Sequence, residues 1–280
     1  MQEPRALVAL HVAVALFGGA ALFAQWLAWP PVAIVLGRTA VAALTLAIVV
    51  MAMAKTVRLE RGLLANGVIL AVHWVTFFEA IQASSVAVGL VGYAAFPVFV
   101  LLLEAILLRR RVGATDIAIS LVVVFGLWVI VPVFDPREAT VRGLAWGLVS
   151  AFTFALLAVR NRRYAQAHEP IVLALGQNTF AALVLLPLVI IGRDALPSVT
   201  TRDLLLIAAL GVVFTALAHS LFILSLRRVS AHTASVVAAL EPVYGIALAA
   251  WLLNETPAVS TLIGAGILTA AAVFVTRRSR

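Results

Sequence analysis

The stretch PVAIVLGRTAVAAL, residues 31–44, is written a second time as PIVLALGQNTFAAL, residues 170–183. Six of the fourteen positions are identical, among them Pro31/Pro170 and Gly37/Gly176. Working outward, residues 71–131 align without gaps onto residues 216–276, so that Ser85 meets Ser230 and Pro97 meets Pro242. The chain divides into two related halves, residues 1–134 and 141–280. In a strongly apolar chain, two such halves form the sides of a transport pathway, with the site between them.

Composition restricts the possibilities further. Hydrophobic residues make up 64% of the 280 positions and charged residues 11%, against about half and about a quarter in soluble domains. So little polar surface cannot cover a fold in water, and lipid has to serve as the solvent. The net charge of +8 is spread in small clusters between apolar runs. No continuous basic stripe forms, so no nucleic-acid partner is expected. Cysteine is absent, which excludes disulfides and thiolate metal sites. The first apolar run, behind Glu3 and Arg5, reads as a retained first helix rather than a cleaved signal.

Ten apolar segments can be drawn: 6–27, 31–54, 62–81, 84–108 and 114–133, then 142–159, 170–191, 203–226, 230–253 and 258–276. Each is close to the ~20 residues that cross a bilayer as a helix. None alternates as a strand would. With the N-terminus inside, 15 of the 20 basic residues fall in cytoplasmic segments. These are Arg5; Lys55, Arg58, Arg61; Arg109, Arg110, Arg111; Arg160, Arg162, Arg163; Arg227, Arg228; and Arg277, Arg278, Arg280. Only Arg137, Arg142, Arg193 and Arg202 fall outside, and Arg38 lies within a span. This bias predicts both termini in the cytoplasm. Five spans per half is an odd number, so the second half enters upside down, as an inverted repeat. The expected fold class is an all-α membrane protein of ten transmembrane helices.

Polar groups within lipid are costly, and each needs a reason. Arg38, two turns into the second span, suits a substrate carboxylate by its planar fork. It also suits helix-end carbonyls, or snorkelling to the interface. Its counterpart Gln177 is neutral. The third span, AVHWVTFFEAIQ, carries His73 and Phe77 on one helical stripe and Trp74 and Phe78 on the next. These aromatic side chains can wall a cavity for a ring-bearing solute or pack against lipid and neighbouring helices. His219, in the eighth span, aligns with Trp74. Glu241 precedes Pro242 in the ninth span, while Phe96 precedes Pro97 in the fourth. Both prolines remove a helical donor and are expected hinges. Glu241 can attract an ammonium group, carry a proton or make a structural hydrogen bond. Tyr93 and Tyr244 lie near the two prolines and can turn hydroxyls into a cavity or simply pack. Small residues line the fourth and ninth spans (Ser84, Ser85, Gly89, Gly92; Ser230, Ala231, Thr233, Ala234, Ser235), and Gly143-xxx-Gly147 marks the sixth as a contact face.

The segment LEPVYGIALAAWLLNETPAVSTLIGAGILTAAAVFV, residues 240–275, resembles the ten-helix EamA branch of the drug/metabolite transporter superfamily. The weaker first-half copy, FPVFVLLLEAILLRRRVGATD, has Arg110 at the place of Glu255. Phe17 with Gly18, and Arg38, also resemble that branch's N-terminal pattern. The chain is further similar to exporters of aromatic amino acids of the YddG type. The resemblance implies alternating access, with the ligand near midplane among helices one, three, four, six, eight and nine.

Enzyme motifs are missing: there is no HExxH pair, phosphate-binding loop or GxSxG elbow. No cofactor or metal is expected. The reading is an inner-membrane exporter of amino acids with aromatic or bulky apolar side chains, partnered by its solute and the bilayer. The alternatives are an exporter of another small metabolite, such as a nucleoside or cationic drug, and a membrane scaffold. A monomer suffices for either transport reading.

Overall fold

The computed structural model describes residues 3–56, 61–84, 86–93, 95–109, 111–130, 138–192, 196–253 and 258–278. Ser85, Arg58, Arg110, Arg137, Arg193, Glu255 and Arg280 lie outside the described residues. Among those described, every regular element is helical and no strand occurs. The first half contains α1 (Glu3–Ala20), α2 (Phe23–Trp26), α3 (Pro31–Ala52), α4 (Arg61–Ala83), α5 (Val86–Tyr93), α6 (Phe96–Leu107) and α7 (Ala114–Ile130). The second contains α8 (Glu138–Ala167), α9 (Pro170–Ile191), α10 (Thr201–Gly211), a π-helical turn (Val212–Leu217), α11 (Ala218–Ser225), α12 (Ala231–Ala238), α13 (Glu241–Leu253) and α14 (Val259–Arg278). Among the described residues, seven helical stretches are long and apolar enough to cross a membrane, and α6 and α7 are shorter apolar helices. Among the described residues, each of the ten expected segments falls on helix.

The duplicated prolines explain the starts of the duplicated helices. Pro31 opens α3 and Pro170 opens α9, where the missing N–H would have had no intrahelical partner and the fixed φ is already helical. On the α10 side, Thr200 forms a capping box with Asp203. Ser230 Oγ accepts from the Thr233 backbone N–H at 2.9 Å and so starts α12.

Three departures from the expected spans matter for the site. The fourth and ninth spans are each two helices, α5/α6 and α12/α13, with Pro97 and Pro242 as the second residue of the later helix. Proline therefore begins a new helix here instead of bending a continuous one. It tolerates the first turn and not the interior. The eighth span is interrupted by the π turn. The sixth runs for 30 residues, past residue 159 and through Arg160, Arg162 and Arg163. Its extension is anchored by charge: Arg160 donates to Gly62 O, and Arg162 to the carbonyls of Leu226 and Val229.

Packing runs in matched pairs. Helix α3 lies against α9 and α7 against α14; α4 lies against α8 and α1 against α11; α8 also packs on α5 and α6, as α1 does on α12 and α13. Small residues allow the closest approaches. A Cβ on Gly147 would come within 2.8 Å of Gly92 Cα, and one on Gly18 within 2.6 Å of Glu241 O. No side chain fits at either crossing, so the helix backbones touch directly. The expected Gly143/Gly147 contact face is thus the surface on which α5 sits. Large apolar side chains such as Leu44, Ile106, Leu205 and Trp251 point outward and are exposed, which lipid accommodates and water would not.

Candidate substrate site

Arg38, His73, Ser150, His219 and Glu241, all buried, gather where α3, α4, α8, α11 and α13 converge. Arg38 is carried there by α3 and is 2% exposed. Taking an ion out of water costs several kcal/mol even after relaxation, so its contacts have to be numerous. Nε donates to Thr215 Oγ1 at 2.9 Å, Nη2 donates to Phe214 O at 3.2 Å, and the guanidinium lies 4.0 Å over the Trp74 ring. Phe78 covers it from farther away, at 5.6 Å. Hydrogen bonds to a charged group contribute about 1.5–3 kcal/mol each and a desolvated cation–π contact about 2 kcal/mol. Together these offset part of that cost. Nη1 makes no hydrogen bond among the described residues.

The π turn is what makes the Thr215 contact possible. Thr215 Oγ1 donates to Leu210 O, five residues back, at 2.7 Å. The widened turn frees Phe214 O and Thr215 Oγ1 to face a neighbouring helix, and such turns recur where function needs irregular backbone.

A single cavity is lined by Phe17, Ala20, Arg38, Leu70, His73, Trp74, Phe77, Tyr93, Phe154, His219 and Glu241. Its free volume is about 20 Å³, roughly the room of one water molecule, so a solute enters only by parting the rings. The rings interlock: His73 stacks on Phe154 with centroids 4.5 Å apart, Tyr93 stacks on Phe96 at 5.6 Å, and Phe17 meets Phe222 at 5.8 Å. Glu241, at the first position of α13, is 6% exposed and has no hydrogen-bond or ion-pair partner among the described residues. An arginine and a glutamate thus share one aromatic cavity without a direct ion pair among the described residues.

Of the residues expected to carry the site, Arg38, His73, Trp74, Phe77, Tyr93, His219 and Glu241 line this cavity. Phe78 is fully buried beside Arg38. Gln177 lies elsewhere, in a knot of amides: its Nε2 donates to Asn161 Oδ1 at 2.6 Å, and Asn161 Nδ2 donates to its Oε1 at 3.3 Å. Asn66 Nδ2 joins at Asn161 Oδ1 at 3.2 Å, and Arg160 Nε donates to Asn66 Oδ1 at 2.5 Å. Tyr244 lies in a second crevice with Thr269 and Arg277, its hydroxyl 3.1 Å from His11 Nδ1. Pro97 and Pro242 sit at the helix breaks beside the cavity wall.

Residues 141–277 match the EamA-like transporter family. The second half of the chain is an EamA-like transporter domain. Over longer stretches the chain is 22% identical to the uncharacterized transporter YxxF of Bacillus subtilis, across 88% of this chain and 81% of that one. It is 29% identical to the pseudopaline exporter CntI of Pseudomonas aeruginosa, across 78% and 75%. A solved crystal structure superposes with a TM-score of 0.82 over 98% of both chains at 19% identity, which is a likeness of fold. The EamA resemblance read from residues 240–275 is borne out. EamA-like proteins and these relatives are transporters and not enzymes, in agreement with the missing enzyme motifs. The protein is a multi-pass membrane transporter of a small molecule.

Within the EamA-like domain and its partner half, sequence reasoning passed over Thr215, Phe154, Ser150 and Asn178. Thr215 had a usable signal, since VVFTALAHS places its hydroxyl in an apolar helix four residues before His219. Phe154 had none, because nothing in SAFTFALLAV separates a ring turned to a cavity from one turned to lipid.

Proposed function

We propose that this protein exports amino acids, chiefly those with aromatic or bulky apolar side chains, across a bacterial inner membrane by alternating access. The observation that carries the reading is Arg38 and Glu241 lining one cavity, unpaired with each other, within a wall of rings. An α-amino acid bears a carboxylate and an ammonium group on one carbon. Arg38 takes the carboxylate, Glu241 the ammonium, and His73, Trp74, Phe77, Tyr93 and Phe154 the side chain. Either charged residue without ligand is a costly buried ion, so a zwitterion satisfies both at once. The likeness to a pseudopaline exporter supports outward transport.

Two inverted five-helix repeats, residues 1–134 and 141–280 with both termini cytoplasmic, supply the motion. The matched packing supports this: exchanging the halves turns the α4–α8 contact into α11–α1, and leaves α3–α9 and α7–α14 as contacts between counterparts. Charge supports it as well. Lys55 and Arg227 both reach Glu169, at 3.7 and 3.9 Å, and Arg278 bonds Asp116 at 3.0 Å. Segments expected at the cytoplasmic face therefore meet one another. At the other end Gln82 donates to Trp29 O at 3.1 Å. Pro97 and Pro242, at the helix breaks, act as hinges. Because the chain has no cysteine, single cysteines placed in each loop and labelled from one side test the topology without background. Termini labelled from outside would refute it.

Proteoliposomes loaded with labelled phenylalanine, threonine or purines test the substrate. Saturable efflux of phenylalanine is expected, and no saturable flux of any amino acid overturns the reading. Purine or cationic-drug flux in its place would favour the other-metabolite alternative. Running the same assay with an imposed pH gradient separates proton antiport from facilitated diffusion.

A further inference from the structure

Two histidines line the cavity, and their hydrogen bonds set opposite tautomers. His73 Nδ1 lies 3.0 Å from Ser150 O and 2.9 Å from Ser150 Oγ. A backbone carbonyl only accepts, so Nδ1 carries the proton. The serine hydroxyl completes the pair by donating to His73 O at 3.2 Å. The other arrangement would set a bare nitrogen lone pair against the carbonyl. In the neutral ring, His73 Nε2 is therefore an acceptor with no protein partner among the described residues.

His219 is the reverse. Its Nδ1 lies 3.3 Å from Asn178 Nδ2, and the same Nδ2 donates to Ala174 O at 2.8 Å. Turning the amide over would press Asn178 Oδ1 against that carbonyl, so the amide orientation is fixed. Its second N–H points at His219 Nδ1, which must accept, leaving the proton on Nε2. That Nε2 is buried and has no partner among the described residues. A buried, unmet donor costs about 1–3 kcal/mol, and a ligand that brings an acceptor recovers it. His219 also packs edge-on to Trp74 at 5.6 Å, the ring that carries Arg38 at 4.0 Å. His219 and the Arg38 guanidinium thus meet the same ring.

We propose that the two histidines read different ends of the solute: His219 Nε2–H joins Arg38 in binding the substrate carboxylate, and His73 Nε2, which can only accept, takes a hydrogen from the ammonium group. The inference rests on the amino-acid reading above and adds how the zwitterion is oriented. The two histidines are specificity-determining residues that read the two ends of the same molecule.

Nitrogen NMR of histidine-labelled protein in nanodiscs reads the tautomers without any ligand. The chain has five histidines, and difference spectra with His73→Asn and His219→Asn assign these two. Nδ1–H is expected for His73 and Nε2–H for His219; the same tautomer in both overturns the proposal. Binding of phenylalanine, phenylalaninamide and 3-phenylpropionate then sorts the ends. His219→Leu should weaken phenylalanine and 3-phenylpropionate about tenfold and the amide less than about twofold, as loss of one hydrogen bond to a charged group requires. His73→Leu should weaken phenylalanine and the amide and spare 3-phenylpropionate. His219→Gln, which keeps a donor at that place, should restore carboxylate binding. Losses that ignore the end group overturn the proposal. Opposite tautomers with no binding of any of the three by the unaltered protein would refute the amino-acid reading instead, and the assignment of ends with it.

Discussion

Arg38 and Gln177 occupy the same place in two copies of one stretch of sequence, both are buried, and they do opposite things. Arg38 spends Nε and one Nη2 hydrogen on Thr215 and Phe214 O, rests on Trp74, and keeps Nη1 free at a cavity wall. Gln177 spends both ends of its amide on Asn161, which is tied in turn to Asn66 and Arg160. One copy retains hydrogen-bonding capacity that a solute can use. The other has closed its bonds into a knot joining α4, α8 and α9. One copy thus keeps an open hydrogen-bonding edge and the other is a fastening, and the difference lies in bond satisfaction more than in burial.

The sharpest way to break this comparison is to delete each side chain in turn. Arg38→Leu should lower phenylalanine flux at low concentration about 100-fold or more, because it leaves the substrate carboxylate buried and unmatched. Gln177→Leu should change flux by no more than about threefold, since the fastening does not touch solute and shared bonds in membranes are individually weak. Reversed magnitudes in the proteoliposome assay would mean that the closed knot is the site. Glu241→Gln comes next. It removes the anion and keeps the shape, and should weaken phenylalanine about tenfold while leaving 3-phenylpropionate nearly unchanged. Equal losses for both ligands would show that Glu241 holds the helix break and not the ammonium group.

Thr215→Val tests how the open site is held open. The substitution keeps volume and removes the acceptor of the Arg38 Nε bond, so KM should rise about five- to tenfold with little change in maximal flux. Thr215→Ser should restore it. A fall in maximal flux with unchanged KM would place Thr215 in the conformational step and not in positioning Arg38.

How far these features could be read from sequence follows from the same contrast. The ten apolar segments were legible because lipid demands long apolar helices, and among the described residues every segment fell on helix. Arg38, His73, Trp74, Phe77, Tyr93, His219 and Glu241 were legible because a polar or aromatic group in such a helix is conspicuous. The distinction between site and fastening was not. Gln177 looked like a site residue because it aligns with Arg38, and only the positions of Asn66 and Asn161, distant in sequence, show its bonds already used. The breaks before Pro97 and Pro242 were half legible. A proline announces a disturbed helix, but whether it bends a helix or starts a new one depends on packing by α1 and α8. The π turn had no signal at all, since VVFTAL is an ordinary apolar helical sequence whose widening is fixed by the partner it meets.

The smallest expected effect belongs to the fastening. Asn161→Leu removes the centre of the amide knot and leaves Asn66 Nδ2 and Gln177 Nε2 without their acceptor. In water such a loss would cost about 1–3 kcal/mol per stranded group. Within a membrane the unfolded helices find other partners, and side-chain hydrogen bonds average nearer 0.6 kcal/mol. The expected result is a drop of a few degrees in melting temperature in detergent, with KM for phenylalanine unchanged. Losses should appear in stability at Asn161 and in affinity at Arg38. If instead Asn161→Leu raised KM as strongly as Arg38→Leu, the knot would have to open during transport and meet the solute itself. The two copies would then be one kind of site caught in two states.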